Sequence, residues 1–414
     1  MSIRTSHKHT LTACYLGYVT QAIVNNFAPL LFITFSADYG IPLSRMALLV
    51  AVNFGIQILV DLIAAKYMSA WGYRPSVVAA HIFAVLGLVG LGVLPRILPV
   101  PFAGILIAII LYAIGGGLTE VLISPIAEAC PTKNKEAQMS LLHSFYCWGH
   151  VAVIVLSTLY FHFVGIEHWW ILACLWAVVP FFNIFYFALV PIRTLEEDTP
   201  EGETLTLGGL LRKPLFWLLV VMMICSGAGE QAMSQWASAF AESALGVNKT
   251  LGDLLGLCTF ALLMGISRAL YGTHSTKISL RRFIVASCAL CIVSYLLAAF
   301  APVPLIALIG CALCGLSVGV LWPGTYSRAS ERLADGGVTM FALLSFGGDI
   351  GCLVGPTLTG QVAAAFGDDL RPAFVCALIF PVLSIVLTLP DLLHTKKKKA
   401  ATAADDVTNE REEH

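Results

Sequence analysis

Five charged side chains, Asp61, Glu120, Glu230, Arg268 and Asp349, stand inside long apolar stretches of a 414-residue chain. A charge in the hydrocarbon core of a bilayer costs about 2.5–3.5 kcal/mol on insertion scales, so such groups turn toward a bundle interior or a water-filled path. Glu120 has no basic residue within helical reach. A carboxyl buried in that way takes up a proton more readily than one in water, which suits a proton-coupling group; hydrogen bonding to a neighbouring helix is the plain structural alternative. Glu230 is followed by Gln231, Gln235 and Trp236. Gln231 and Gln235 lie one turn apart on a helix and share a face. A carboxylate, two amides and an indole can hydrogen-bond hydroxyls and stack on the apolar face of a sugar ring, or they can serve as interhelical glue.

His143, Tyr146 and His150 recur at three and four residues, which makes one polar helical stripe able to face a cavity. Asn25 and Asn26 are adjacent, so both cannot face one cavity squarely; binding and packing are both open to them. Asp349, between Gly348 and Gly351, could reach the cavity or bond to a neighbouring helix. Asp61 and Arg268 sit a turn or two from the ends of the second and eighth apolar segments. Together with Arg74 in the loop after the second segment, they are candidates for a gate whose charges pair in one state and part in another. Snorkelling to the interface is the simpler reading of Arg268.

The surrounding elements follow from composition. Hydrophobic residues make up 58% and charged residues 12%, against roughly 45–50% and 25% in a soluble domain. The net charge of -1 carries no basic stripe, which excludes a nucleic-acid partner. The run Lys396 to Lys399 follows the last apolar segment and reads as an anchor at an anionic leaflet. Cys288/Cys291 and Cys311/Cys314 have a C-x-x-C spacing without polar partners, so no metal or other cofactor is expected. No Ser/His/Asp arrangement suggests an enzyme. The first apolar stretch is too long and too polar for a signal peptide and should remain as a helix.

About 20 helical residues cross a bilayer. The candidate spans are roughly 11–36, 46–67, 75–95, 101–127, 138–163 and 169–191, then 214–241, 250–272, 281–300, 303–326, 337–364 and 370–392. The expected fold is therefore an all-α membrane protein of twelve transmembrane helices. Of the 24 Lys and Arg, only Arg45, Arg96, Lys249 and Arg371 fall in odd-numbered loops, so both termini should be cytoplasmic, in the cell membrane. A polar segment, residues 192–213, divides residues 1–191 from residues 214–392, and residues 393–414 form a cytoplasmic tail that is polar and acidic after Lys399. Gly117-Leu118-Thr119 with Pro125 matches Gly315-Leu316-Ser317 with Pro323 at an offset of 198, and Met139, Leu142, Ser144 and Phe145 match Met340, Leu343, Ser345 and Phe346 at 201. Such a repeat points to two pseudo-symmetric six-helix halves with a solute site between them.

On these features the chain resembles a major facilitator transporter of the fucose-permease type, a branch of sugar:proton symporters. The motifs are Val24-Asn25-Asn26, Gly117-Leu118-Thr119-Glu120 through Pro125, Ser144-Phe145-Tyr146-Cys147-Trp148-Gly149, Gly227-Ala228-Gly229-Glu230 with Trp236, and Gly347-Gly348-Asp349-Ile350-Gly351 with Gly355-Pro356. The resemblance implies that Glu120 lies in the transport cavity and that a proton accompanies the solute. It also exposes departures. The branch has an acid two positions after the paired Asn, where this chain has Ala28, and the loop Ala65-Lys66-Tyr67-Met68-Ser69-Ala70-Trp71-Gly72-Tyr73-Arg74 keeps only the end of the superfamily's G-x-x-x-D-(R/K)-x-G-R-(R/K) motif. Proton coupling then falls to Glu120 or Glu230. The G-x-x-x-G-P motif of many drug antiporters is absent from the fifth span, whereas Gly351, Gly355, Pro356 and Gly360 enrich the eleventh. The expectation is a monomeric importer of a sugar-like solute with protons. An exporter of drugs or metabolites and a non-transporting receptor of the same fold are the alternatives.

Overall fold

A computed structural model of the protein describes residues 3–41, 43–194, 205–237, 240–241, 253–367 and 369–389. The acidic linker residues 195–204, the loop with Lys249 and the tail with Lys396 to Lys399 lie outside the described residues. Within them every regular element is helical: α1 (His7–Leu30), α2 (Phe32–Tyr39), α3 (Leu43–Trp71), α4 (Tyr73–Ile97), α5 (Pro101–Glu128), α6 (Lys135–Phe163), α7 (Trp169–Trp176), α8 (Val178–Leu189), α9 (Leu207–Leu211) and α10 (Pro214–Ser234). There follow α11 (Thr259–His274), α12 (Leu280–Phe300), α13 (Pro304–Val318), α14 (Leu321–Arg332), α15 (Gly337–Ala365) and α16 (Leu370–Ala377), which leads into a further helix over 379–389.

Ten helical stretches among the described residues are long and apolar enough to cross a membrane. α1 and α3 run for 24 and 29 residues but carry Gln21, Asn25 and Asn26, and Asn53, Gln57 and Asp61, respectively. The cost of those polar groups in lipid is avoided by turning them inward, where Gln21, Asn53, Gln57 and Asp61 are buried. The outer surface is apolar instead, with Phe163, Phe182 and Phe300 exposed as a bilayer requires.

Local sequence sets the helix ends. Pro101, Pro214 and Pro304 occupy the first turns of α5, α10 and α13, where a missing N–H costs nothing. Asn134 caps α6 by accepting from the Ala137 N–H at 2.9 Å. Two boundaries differ from the expected ones. The stretch 11–36 breaks at Leu31, just after Pro29, and the stretch 303–326 continues to Arg332 with an interruption at Gly319 and Val320. Pro323 explains the second: it has no N–H to close the bond to the carbonyl four residues back, which is Gly319.

The bundle closes through helix pairs, α4 along α5, α10 along α15, α1 and α11 along α6, and α3 against α15. The α10–α15 crossing depends on glycine. A Cβ on Gly351 would lie 2.2 Å from the Ile224 carbonyl oxygen, and one on Gly355 2.4 Å from that of Ala228, so only a bare backbone fits.

Candidate functional site

A cavity lies at the meeting of these helices. Tyr18, Gln21 and Asn25 of α1 line it with Phe54 of α3, Glu120 of α5, and His143 and Tyr146 of α6. Facing them are Glu230 and Gln231 of α10, Arg268 of α11, Trp322 of α14, and Asp349 and Cys352 of α15. Segments before residue 192 and after residue 213 thus contribute to one chamber.

One wall is a chain of amides. Gln21 and Asn25 are one turn apart on α1, and Asn53 and Gln57 are one turn apart on α3, so each pair shares a face. Gln21 donates to Gln57 Oε1 and to Glu120 Oε2, both at 3.0 Å. Gln57 and Asn53 both donate to Asn25 Oδ1, at 3.1 and 3.2 Å. The network fixes the Glu120 carboxyl on its cavity side. Beside it, Tyr18 OH, Ser124 Oγ and His143 Nε2 lie within 2.8 to 3.2 Å of one another.

The opposite wall centres on Arg268, which is buried in α11. Its Nη2 donates to Glu230 Oε2 at 3.2 Å, its Nη1 to the His143 carbonyl at 3.0 Å, and its Nε to the Gly319 carbonyl at 2.6 Å. The last of these is the carbonyl that Pro323 leaves unpaired, so the guanidinium fills a gap in the helix of another element. Arg268 therefore joins α6, α10, α11 and the α13–α14 break at one point.

Three contacts seal one end of the bundle beyond Arg268. Ser140 Oγ donates to the Arg268 carbonyl at 2.6 Å, Tyr271 OH to Glu136 at 2.7 Å, and Asn134 Nδ2 to Ser275 Oγ at 2.8 Å. Toward the other end a second, smaller hollow shares Asn25 and Phe54 with the cavity and is also lined by Ala28, Pro29 and Gln235.

The sequence profile of the Major Facilitator Superfamily matches residues 14–340 and 250–410. The chain belongs to the Major Facilitator Superfamily. It is accordingly an integral, multi-pass membrane protein, in a family of transporters and not of enzymes. A curated relative, the membrane protein MosC of Rhizobium meliloti, is 25% identical over 272 residues, which is 66% of this chain and 65% of that protein. The match thus spans just under two thirds of the relative's length. Among solved structures, FucP, a superfamily transporter in the outward conformation, superposes with a TM-score of 0.76 at 14% identity, over 92% of this chain and 97% of its own. The proton:xylose symporter XylE superposes with a TM-score of 0.79 at 11% identity, over 92% and 94%. At such identities these likenesses establish the fold.

Within this superfamily member, Asn25, Glu120, His143, Tyr146, Glu230, Gln231, Asp349 and Arg268 come together on the cavity. Others do not. Asn26 turns away to donate to the Ala22 carbonyl and, at 3.3 Å, to Tyr146 OH. Gln235 is exposed in the second hollow and donates to Gln231 at 3.0 Å. Trp236 differs most from its expected stacking role: its Nε1 donates to the Pro356 carbonyl at 3.0 Å and its ring packs over Gly360, so it cements α10 to α15. Arg74 does not meet Asp61. It donates to the carbonyls of Phe187, Ala188 and Val190 at 2.8 to 2.9 Å, capping the end of α8. Arg268 does not snorkel, because the buried acceptors outcompete the interface. Asp61 is buried on α3 behind the wall, with neither carboxylate oxygen hydrogen-bonded. Residues not foreseen are Tyr18, Gln21, Phe54, Gln57 and Trp322; the four-residue spacing of Asn53, Gln57 and Asp61 is the one sequence signal that could have pointed to a polar face on α3.

Proposed function

We propose that the protein is a secondary active transporter that carries a sugar or a similar small polar solute across the cytoplasmic membrane by proton symport. Twelve spans form two six-helix halves, residues 1–191 and 214–392, joined by the 192–213 linker and followed by a cytoplasmic tail, 393–414. The halves rock about the chamber, which opens alternately to either side. Solute and protons are its partners, and it works as a monomer in the bilayer.

One observation carries this reading: a single chamber lined from both sides of the linker by carboxylates, amides and aromatic faces. Amides donate to hydroxyls and accept from them, carboxylates accept from them, and Tyr18, Tyr146 and Trp322 offer faces for the apolar side of a ring. With Ala28 leaving α1 without a carboxyl, the proton is carried by Glu120, or else by Glu230. The contacts of Asn134, Glu136 and Ser140 with α11 and Ser275 close the end where Lys133, Lys135, Lys277, Arg281 and Arg282 gather, the cytoplasmic end by the positive-inside rule. The second hollow then leads outward.

Uptake of a panel of labelled sugars into proteoliposomes, with and without an inward-acid pH gradient, tests the proposal. A solute should accumulate only with the gradient and should show counterflow exchange without it. Binding with no flux would mark a receptor, and flux indifferent to the gradient a uniporter.

A further inference from the structure

The charges on the cavity wall do not balance. Glu120, Glu230 and Asp349 face a single cation, Arg268. Arg268 is already committed to Glu230, and its other nitrogens donate to the Gly319 and His143 carbonyls. Glu120 accepts from Gln21. Asp349 differs from both: it lines the cavity while only 2% exposed, and its Oδ2 is buried without a hydrogen-bond partner. The charges that act on it and on Asp61 behind it are acidic, Glu120 on Asp349, and Asp349 and Glu120 on Asp61. A buried carboxylate in such surroundings lacks a cation, and its side chain lines the chamber.

We propose that the solute carries a protonated amine, so that this chamber takes an amino sugar or an amino polyol, with the ammonium bonded to Asp349. This inference rests on the transport reading of the cavity and names the substrate class within it. A neutral polyol can donate a hydroxyl to the Asp349 oxygen but brings no charge to offset the acidic wall. A sugar acid meets three carboxylates, and each Arg268 nitrogen already donates to an acceptor of the protein. The ammonium instead supplies three donors, and the rings of Tyr18, Tyr146 and Trp322 add cation–π attraction in a desolvated space.

The test measures binding of matched solutes to the purified protein by thermal shift and by competition for uptake in proteoliposomes. The probes are glucosamine, galactosamine and mannosamine, each beside its neutral parent sugar, and glucuronate. For a scaffold that binds, the amine should be tighter than the parent by about tenfold or more, the scale of one charge-assisted hydrogen bond. Asp349→Asn should cut the amine to the affinity of the parent. Equal or tighter binding of the neutral member overturns the proposal and leaves the sugar-transport reading standing. Tighter binding of glucuronate overturns it in favour of an anion site at Arg268. If neither amines nor parents bind or cross, the sugar-transport reading fails and this proposal fails with it. The wild-type comparison decides the matter even if Asp349→Asn does not fold.

Discussion

Arg268 is bonded at three points, so its removal tests the construction of the cavity in one step. Arg268→Met deletes the pair to Glu230 at 3.2 Å and the bonds to the His143 and Gly319 carbonyls. Stripping one partner from a buried ion pair costs roughly 3–5 kcal/mol, because the other charge stays buried and unpaired. The Gly319 carbonyl is stranded as well, since Pro323 has no N–H to offer, which adds about 1–3 kcal/mol. At about 2–4 °C per kcal/mol for a unit of 150–250 residues, and less for a longer chain, the melting point should fall by roughly 5 °C or more. Removing both charges in Arg268→Met/Glu230→Met should recover most of that loss, because an apolar pair of similar volume leaves no orphan ion. Thermal unfolding of the purified protein in detergent, followed by intrinsic tryptophan fluorescence, measures all three variants. A double variant whose loss equals the sum of the two single losses would refute the reasoning, since independent sites add.

Trp236→Ala should lower the melting temperature and leave solute affinity within about twofold, because its indole serves the α10–α15 contact and not the chamber; an affinity loss with unchanged melting would return it to the site. Gly355→Leu should abolish correct assembly, read as loss of monodisperse protein on size exclusion, since its Cβ would lie 2.4 Å from the Ala228 oxygen; normal yield and melting would contradict that crossing. Asn134→Ala with Tyr271→Phe should weaken the closed end and shift the population toward the opposite state, read as a longer distance between labels at Lys133 and Lys277; an unchanged distance distribution would show that these contacts do not hold the gate.

The membrane class and the helical content were legible because hydropathy is a property of each segment alone. So were five of the inward charges, since lipid forbids their facing out, whereas Arg328, buried on α14, lies past the expected end of its span. Facing was harder to read. The periodicity of the seventh span groups Gln231 with Gln235, but it cannot say which neighbour each side of α10 meets, and Trp236 turned to α15. Arg268 looked like a gate or a snorkelling cation because its acceptors come from three other elements. One of them, the Gly319 carbonyl, is free only because Pro323 stands four residues on, and nothing in local sequence joins that proline to α11. The amide chain escaped for the same reason. Gln21 and Gln57 are ordinary as single residues and become a structure only when α1 and α3 lie side by side.

The central claim is that solute and proton share the chamber, with Glu120 as the coupling group. Accumulation driven by an inward-acid gradient and counterflow exchange at equal pH, both measured in proteoliposomes on the wild type and on Glu120→Gln, test it most directly. The glutamine keeps the size of the side chain and a bond to Gln21 but cannot titrate. The account predicts that Glu120→Gln keeps counterflow and loses pH-driven accumulation. Accumulation that survives in Glu120→Gln and disappears in Glu230→Gln would move the role to α10, and accumulation that survives in both would contradict proton coupling through this chamber.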